Sequence, residues 1–248
     1  MAQPRYRYRR SFFSGYFSNG VKWLLISNTV VFLLWYVGGQ SVQRHLLTLF
    51  ALTPELTVRN VMVWQLATYL FLHGGIWHLI FNMLTLWMFG SPLEGDWGTR
   101  RFLKYYFICG VGAGLFDLTL NILFGHWNNT TIGASGAIYG LLLAFGVCYP
   151  EQTVLMSFLF PIKAKYMVMI YAGVELLMST GVNSGVSNIA HLGGMVVGFV
   201  YLKSRLPRLR IKLPDWRGAY RQWKLQRAKK KFQVYMRKHG DGGTANTG

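Results

Sequence analysis

Charge is what this chain has least of. Asp and Glu number 8 against 26 Lys and Arg in 248 residues, and charged residues make up only 14%. A soluble domain usually carries about a quarter charged residues, so a water-facing globular shell is excluded. Cysteine is scarce too. Cys109 and Cys148 fall within or at the end of apolar segments, which excludes a disulfide framework and offers no metal-ligand spacing; they read as small hydrophobes. Segments of alternating polarity that would build a β-barrel are missing. So are a charged path through several apolar segments and inverted repeats, the marks of a transporter. No small-residue cleavage site follows Gly39, so the first apolar run reads as a retained span rather than a signal peptide.

What is present is apolar. Hydrophobic residues reach 52% and mean hydropathy is +0.26. Runs near membrane-spanning length recur at 21–38, 74–92, 102–124, 134–150, 166–181 and 189–204. Backbone groups in lipid must be satisfied within the segment, which requires helices. The expected fold is an all-α polytopic membrane protein, a bundle of six transmembrane helices with a long, partly helical outer loop over 40–73. A basic segment, 1–20, precedes the membrane domain, 21–205, and a basic tail, 206–248, follows it.

The net charge of +18 gathers at the two ends. Basic segments flanking membrane helices act as orientation signals and contacts for anionic lipid, and that reading is preferred to nucleic acid. Arg100, Arg101 and Lys104 follow the second span, and Lys163 and Lys165 follow the fourth. The alternate loops hold only Arg44 and Arg59. Six spans then put both termini in the cytoplasm. A bacterial inner membrane is the expected location.

Four polar side chains stand out against this apolar background. Ser135 sits in Gly133-Ala134-Ser135-Gly136, His191 in Ala190-His191-Leu192-Gly193-Gly194, and His78 and Asn82 lie one helical turn apart. Polar groups in a membrane helix are costly and mark functional sites. By topology all four fall at the outer starts of spans two, four and six. From Ser135 to Pro150 is about 22 Å of helix, and from His191 to Lys203 or Asn82 to Glu94 about 18 Å. In a hydrocarbon core about 30 Å thick, the groups share a layer roughly 8–12 Å below the outer surface. Gly136, Gly140 and Ala144 on span four, and Ala190, Gly194 and Gly198 on span six, form small-residue faces that permit close helix packing. Joining these faces brings Ser135 toward His191. General helix packing explains the glycines alone, but not the Ser and His at the ends of matching faces.

The parts suit acyl transfer. A serine hydroxyl needs a base, and histidine can take its proton and return it to a leaving amine. Tyr139, one turn after Ser135, is placed to stack on the imidazole. His78, Asn82 and the Ser135 amide are donors for an oxyanion, helped by the helix N-terminus.

Taken in order, the Gly-Ala-Ser-Gly motif, His78-x-x-x-Asn82, and Ala190-His191 followed by Gly194 and Gly198 resemble the rhomboid family of intramembrane serine proteases. The resemblance covers about residues 20–205. It implies a six-helix core, a Ser135–His191 dyad, cleavage of transmembrane substrates near their outer ends, and no metal or organic cofactor. It also aligns His73, Glu94, Gly98 and Arg101 with structural motifs, Glu94 bracing the inner loop with Arg101. A Trp-Arg pair common in the family's first outer loop stands here as Trp64-Gln65.

Other features carry alternatives. Glu175 and Asp117 are intramembrane carboxylates; Glu175 is either a third catalytic member or, as its expected depth below His191 favours, a structural hydrogen-bonding group. The tail from Trp216 to Met236 reads either as an interfacial amphipathic helix or as a solvated basic tail. The Gly, Ser and Asn-rich loop 182–188 and the fifth helix are expected to gate substrate. His45, His126 and His239 show no ligand spacing. A rhomboid-like protein that binds membrane helices without cleaving them is the rival reading; such proteins lack the Ser or the His.

Overall fold

The computed structural model describes residues 18–156, 160–179 and 188–205, with residues 224, 225, 227 and 229 of the tail. Residues 1–17 of the basic N-terminal segment, the 182–187 part of the expected gating loop and nearly all of the amphipathic tail stretch lie outside the described residues. Contacts divide the chain into Met1–Pro207 and Arg208–Gly248.

The first unit is mainly helical, and helices occupy all six expected segments. Helix α1 (Asn19–Val37) buries Val21, Leu24, Asn28 and Phe32 along one stripe, while Trp23, Val30, Leu33 and Leu34 face outward. Outward apolar side chains suit lipid, where no water penalises them. Helix α2 (Gly39–Phe50) follows, then a wide helical turn at Glu55–Arg59 and the short α3 (Gln65–Thr68). Helices α4 (Ile76–Thr85) and α5 (Ser91–Trp97) are joined by a wide turn at Leu86–Gly90. Pro92 explains that turn: a proline lacks the N–H of the regular ladder and crowds the preceding turn. Gly98 ends the run at φ +77° and ψ 155°, a conformation open to glycine because it has no Cβ. Helix α6 (Thr99–Leu123) is 25 residues long, about 37 Å.

Helices α7 (Ser135–Cys148), α8 (Ala164–Met178) and α9 (Asn188–Arg205) complete the unit. Three continuous helical runs, Asn19–Val37, Ile76–Trp97 and Thr99–Leu123, are long and apolar enough to cross a membrane; Ser135–Cys148 is apolar but shorter.

Two expectations need correction. The fold is not purely helical: β1 (Thr153–Met156) pairs antiparallel with β2 (Phe160–Lys163) between α7 and α8. The β-branched Thr153 and Val154, with Pro161 on the returning strand, favour extended chain over a helix end. Beside this hairpin Glu151 accepts from Lys163 at 2.7 Å and Lys165 at 2.5 Å. These bonds hold its carboxyl below the usual carboxylate range. The 40–73 segment is partly helical, as expected, and its order centres on Gln65. This side chain is fully buried; its Oε1 accepts from Thr53 N–H at 3.2 Å and the Thr57 hydroxyl at 2.8 Å, and its Nε2 donates to Thr48 O at 2.9 Å. Trp64 Nε1 donates to Leu49 O at 2.7 Å. The Trp64-Gln65 pair therefore anchors this segment itself.

The other correction is that Glu94 does not brace Arg101. Its carboxylate accepts from the Gly20 and Val21 amides at 2.7 and 2.8 Å and from the hydroxyls of Ser18 and Thr99 at 2.5 and 2.6 Å. It fills the open N–H groups at the start of α1, groups that every helix start must satisfy.

The core that carries the site is α6, α7 and α9. A Cβ on Gly194 would fall 1.9 Å from the Gly136 carbonyl oxygen, so α7 and α9 touch backbone to backbone. Gly140 and Gly198 serve a three-way contact. A Cβ on Gly140 would meet Cys109 at 2.6 Å, and one on Gly198 would meet the Tyr105 hydroxyl at 2.4 Å. Tyr105 in turn donates to Gly140 O at 2.8 Å.

Candidate active site

The segment leading into α7 is fixed before the helix begins. Leu52 and Thr131 exchange backbone bonds at 2.9 and 3.0 Å, and Gly133 N–H donates to Tyr69 O at 2.9 Å. The Thr131 hydroxyl donates to Asp117 Oδ2 at 2.7 Å, which gives this buried carboxylate a structural partner. Gly133 has φ +117°, a region L side chains avoid. A Cβ there would also lie 2.7 Å from His78 Nε2 and 3.8 Å from Ser135 Oγ. Glycine is thus required twice over, by conformation and by the approach of the His78 ring.

Ser135 is the first residue of α7. Its amide and those of the next two residues have no partner within the helix and carry its positive end. Ser135 Oγ lies 2.7 Å from His191 Nε2. His191 sits one turn into α9 and is 6% exposed. Tyr139 stacks on it with ring centroids 4.2 Å apart and 8° between planes. The predicted nucleophile, base and stacking ring therefore come together, drawn by the Gly136–Gly194 contact.

His78 and Asn82 share a face of α4, with Asn82 buried. Asn82 Nδ2 is buried without a hydrogen-bond partner among the described residues. A buried donor left open costs free energy, and such groups call for a ligand or water. His73 packs edge-on against His78 at 4.9 Å between centroids.

Glu175 departs from expectation. Its carboxylate reaches the His191 ring: Oε2 is 3.0 Å from Nδ1, and Oε1 accepts from the Tyr139 hydroxyl. The reason is where α8 stops. The helix ends at Met178, so Glu175 falls in its last turn. The structural hydrogen bond is present, but it is not the carboxylate's only contact. No cluster of three or more His, Cys, Asp or Glu suited to a metal occurs among the described residues.

Residues 60–208 match the family model described as the Rhomboid domain. The chain is 34% identical over 153 residues to RHOMBOID-like protein 4 of Arabidopsis thaliana, covering 62% of this chain and 36% of that one. It is 32% identical over 173 residues to Rhomboid protease GluP of Bacillus subtilis, covering 68% and 31%. It is 30% identical over 205 residues to Rhomboid protein 1, mitochondrial, of Saccharomyces cerevisiae, covering 77% and 54%. The matched stretch spans about a third to a half of these relatives' lengths.

Proposed function

The chain belongs to the rhomboid family, and from that premise we propose that it is an intramembrane serine endopeptidase acting on transmembrane proteins. The observation that carries this reading is the 2.7 Å contact between Ser135 Oγ and His191 Nε2 at the positive end of α7. Ser135 attacks the scissile carbonyl carbon while its proton passes to His191 Nε2. A C–O bond forms and the carbonyl oxygen becomes an oxyanion. Asn82 Nδ2, His78 and the Ser135 amide donate to that oxyanion; the unpaired state of Asn82 supports the assignment. The C–N bond then breaks, with His191 returning the proton to the leaving amine. Water, deprotonated by His191, releases the acyl group and regenerates Ser135. The substrate helix must unwind locally, because a helical carbonyl is already hydrogen-bonded and shielded.

The same reading takes all six helical segments as spans with both termini in the cytoplasm, 40–73 as the outer first loop, and α8 with the 182–188 loop as the gate. The reaction then lies near the outer face of a bacterial inner membrane. The charge pattern supports this orientation, since Lys and Arg concentrate in the loops of one side and only Arg44 and Arg59 lie in the others. The basic tail meets anionic lipid rather than nucleic acid. No metal or organic cofactor enters the chemistry.

The test is cleavage of a model transmembrane substrate in proteoliposomes by wild type and by Ser135→Ala. Product from the wild type alone, with helix content and melting unchanged in the variant, supports the reading. Equal cleavage by both assigns the activity elsewhere. Failure of the wild type on several varied substrates favours a binder of membrane helices.

A further inference from the structure

Glu175 has no role in that scheme, yet its position is costly. It is 7% exposed, on a helix whose neighbouring positions are Val174, Leu176 and Leu177. A carboxylate is expensive in such surroundings. No Lys or Arg pairs with it among the described residues. Oε1 accepts from Tyr139, and Oε2 faces His191 Nδ1 at 3.0 Å. Both atoms are buried and neither makes a hydrogen bond among the described residues, so this 3.0 Å approach is the one polar contact each has there.

The two open atoms are complementary. An ionised carboxylate only accepts, whereas a neutral imidazole carries its proton on one nitrogen and accepts at the other. A carboxylate at Nδ1 favours the proton there. That leaves Nε2, the nitrogen facing Ser135 Oγ, free to accept. We propose that Glu175 is a positioning residue for the Ser135–His191 pair: its carboxylate holds His191 in the tautomer able to take the Ser135 proton and balances the imidazolium that results. This rests on Ser135 and His191 being nucleophile and base. It turns the stacked dyad into a Ser135–His191–Glu175 chain in which Tyr139 touches both partners of the last link. Tyr139 stacks on the ring and donates to the carboxylate, so one side chain sets the place of both groups. Only His191 moves a proton; Glu175 touches neither substrate nor the reacting atoms.

A purely structural carboxylate and a positioning one respond differently to loss of charge. In Glu175→Gln the amide keeps the volume and can still accept from Tyr139, but it cannot balance an imidazolium. Its NH2 group also presents donors to Nδ1, which favours the opposite tautomer. The experiment uses the full chain in proteoliposomes and compares wild type, Ser135→Ala, Glu175→Gln and Glu175→Ala on one transmembrane substrate. Expected for Glu175→Gln is a fall in kcat of about 100-fold or more, with KM within about threefold and unchanged melting. Glu175→Ala should be as slow and regain about tenfold or more with added formate, a carboxylate small enough for the vacated space, but not with chloride at equal ionic strength.

Two outcomes overturn the assignment. One is a Glu175→Gln kcat within about threefold of wild type. The other is loss of activity that tracks lowered melting in both variants, with no formate rescue. Cleavage by wild type but not Ser135→Ala keeps the parent reading standing whichever way Glu175 falls. If Ser135→Ala cleaves as well as wild type, the parent reading fails and the Glu175 assignment with it.

Discussion

Tyr139 and His191 lie face to face, 4.2 Å between centroids and 8° from parallel, with Tyr139 on α7 and His191 on α9. The stack restrains rotation of the imidazole about its Cβ, so Nε2 stays aimed at Ser135. Aromatic pairs of this kind contribute about 0.5–1.5 kcal/mol beyond burial. Tyr139→Phe keeps the ring and loses the bond to Glu175; Tyr139→Ala loses both. The expected order of kcat is wild type, Phe, Ala, with Ala at least about tenfold below wild type. Steady-state kinetics on a single transmembrane substrate reads this directly, and an Ala variant as fast as wild type would remove the stack from the mechanism.

Asn82→Ala separates catalysis from stability. Because Asn82 Nδ2 has no partner among the described residues, deleting the amide removes an unpaired buried donor and should leave melting unchanged or slightly raised. Loss of one oxyanion donor lowers kcat by about 100-fold or more. A variant that melts early and retains full kcat contradicts both halves of the argument.

Gly194→Ala collides with the Gly136 carbonyl at 1.9 Å, and backbone cannot swing aside as a side chain can. Overpacking of this kind costs about 1–3 kcal/mol or more. Thermal unfolding in detergent should shift down, with activity lost in parallel. Gly173→Ala on α8 is the control: a Cβ there meets nothing within 4 Å, and melting should hold or rise.

Gln65→Arg tests the anchor of the 40–73 segment. Arg is the residue expected there from the family resemblance, but in this chain Oε1 of Gln65 serves the Thr53 N–H and the Thr57 hydroxyl. Arg carries donors only, so it faces the Thr53 amide donor to donor. Destabilisation of about 1–3 kcal/mol is expected, seen as lower melting or as faster proteolysis within 40–73. Unchanged melting would mean that the segment rearranges around Arg.

The polar residues of the site were legible because they interrupt apolar runs, and helical rise places them at one depth without knowledge of the fold. Glu175 is as visible by the same rule. Its contact with His191 was hidden because the apolar run continues toward Gly181 while α8 ends at Met178; three residues of overrun misplace it by almost a full turn. Glu94 shows a different limit. Two of its partners are backbone amides at Gly20 and Val21, 74 and 73 residues away, and an amide has no letter in the sequence. Arg101 had a charge to offer and was the wrong candidate. Gln65 was noticed only as a departure from a pattern, whereas its hydrogen bonds define a local solution of its own. The hairpin at 153–163 escaped because strands of four residues are too short for a periodicity to register.

The Gly136–Gly194 contact also fixes which helices stay together. It lies next to Ser135 in the chain and three residues past His191, so Ser135 and His191 are mounted on one stiff block. A helix swinging outward to admit substrate cannot be α7 or α9 without undoing that block. Helix α8 holds no such backbone collision at Gly173, and it carries Glu175. If α8 is the part that yields, its displacement separates carboxylate from imidazole while Ser135 and His191 stay together. The door and the third member of the chain would then be the same piece of protein, and the site would reach its working arrangement only after the door has closed behind the substrate.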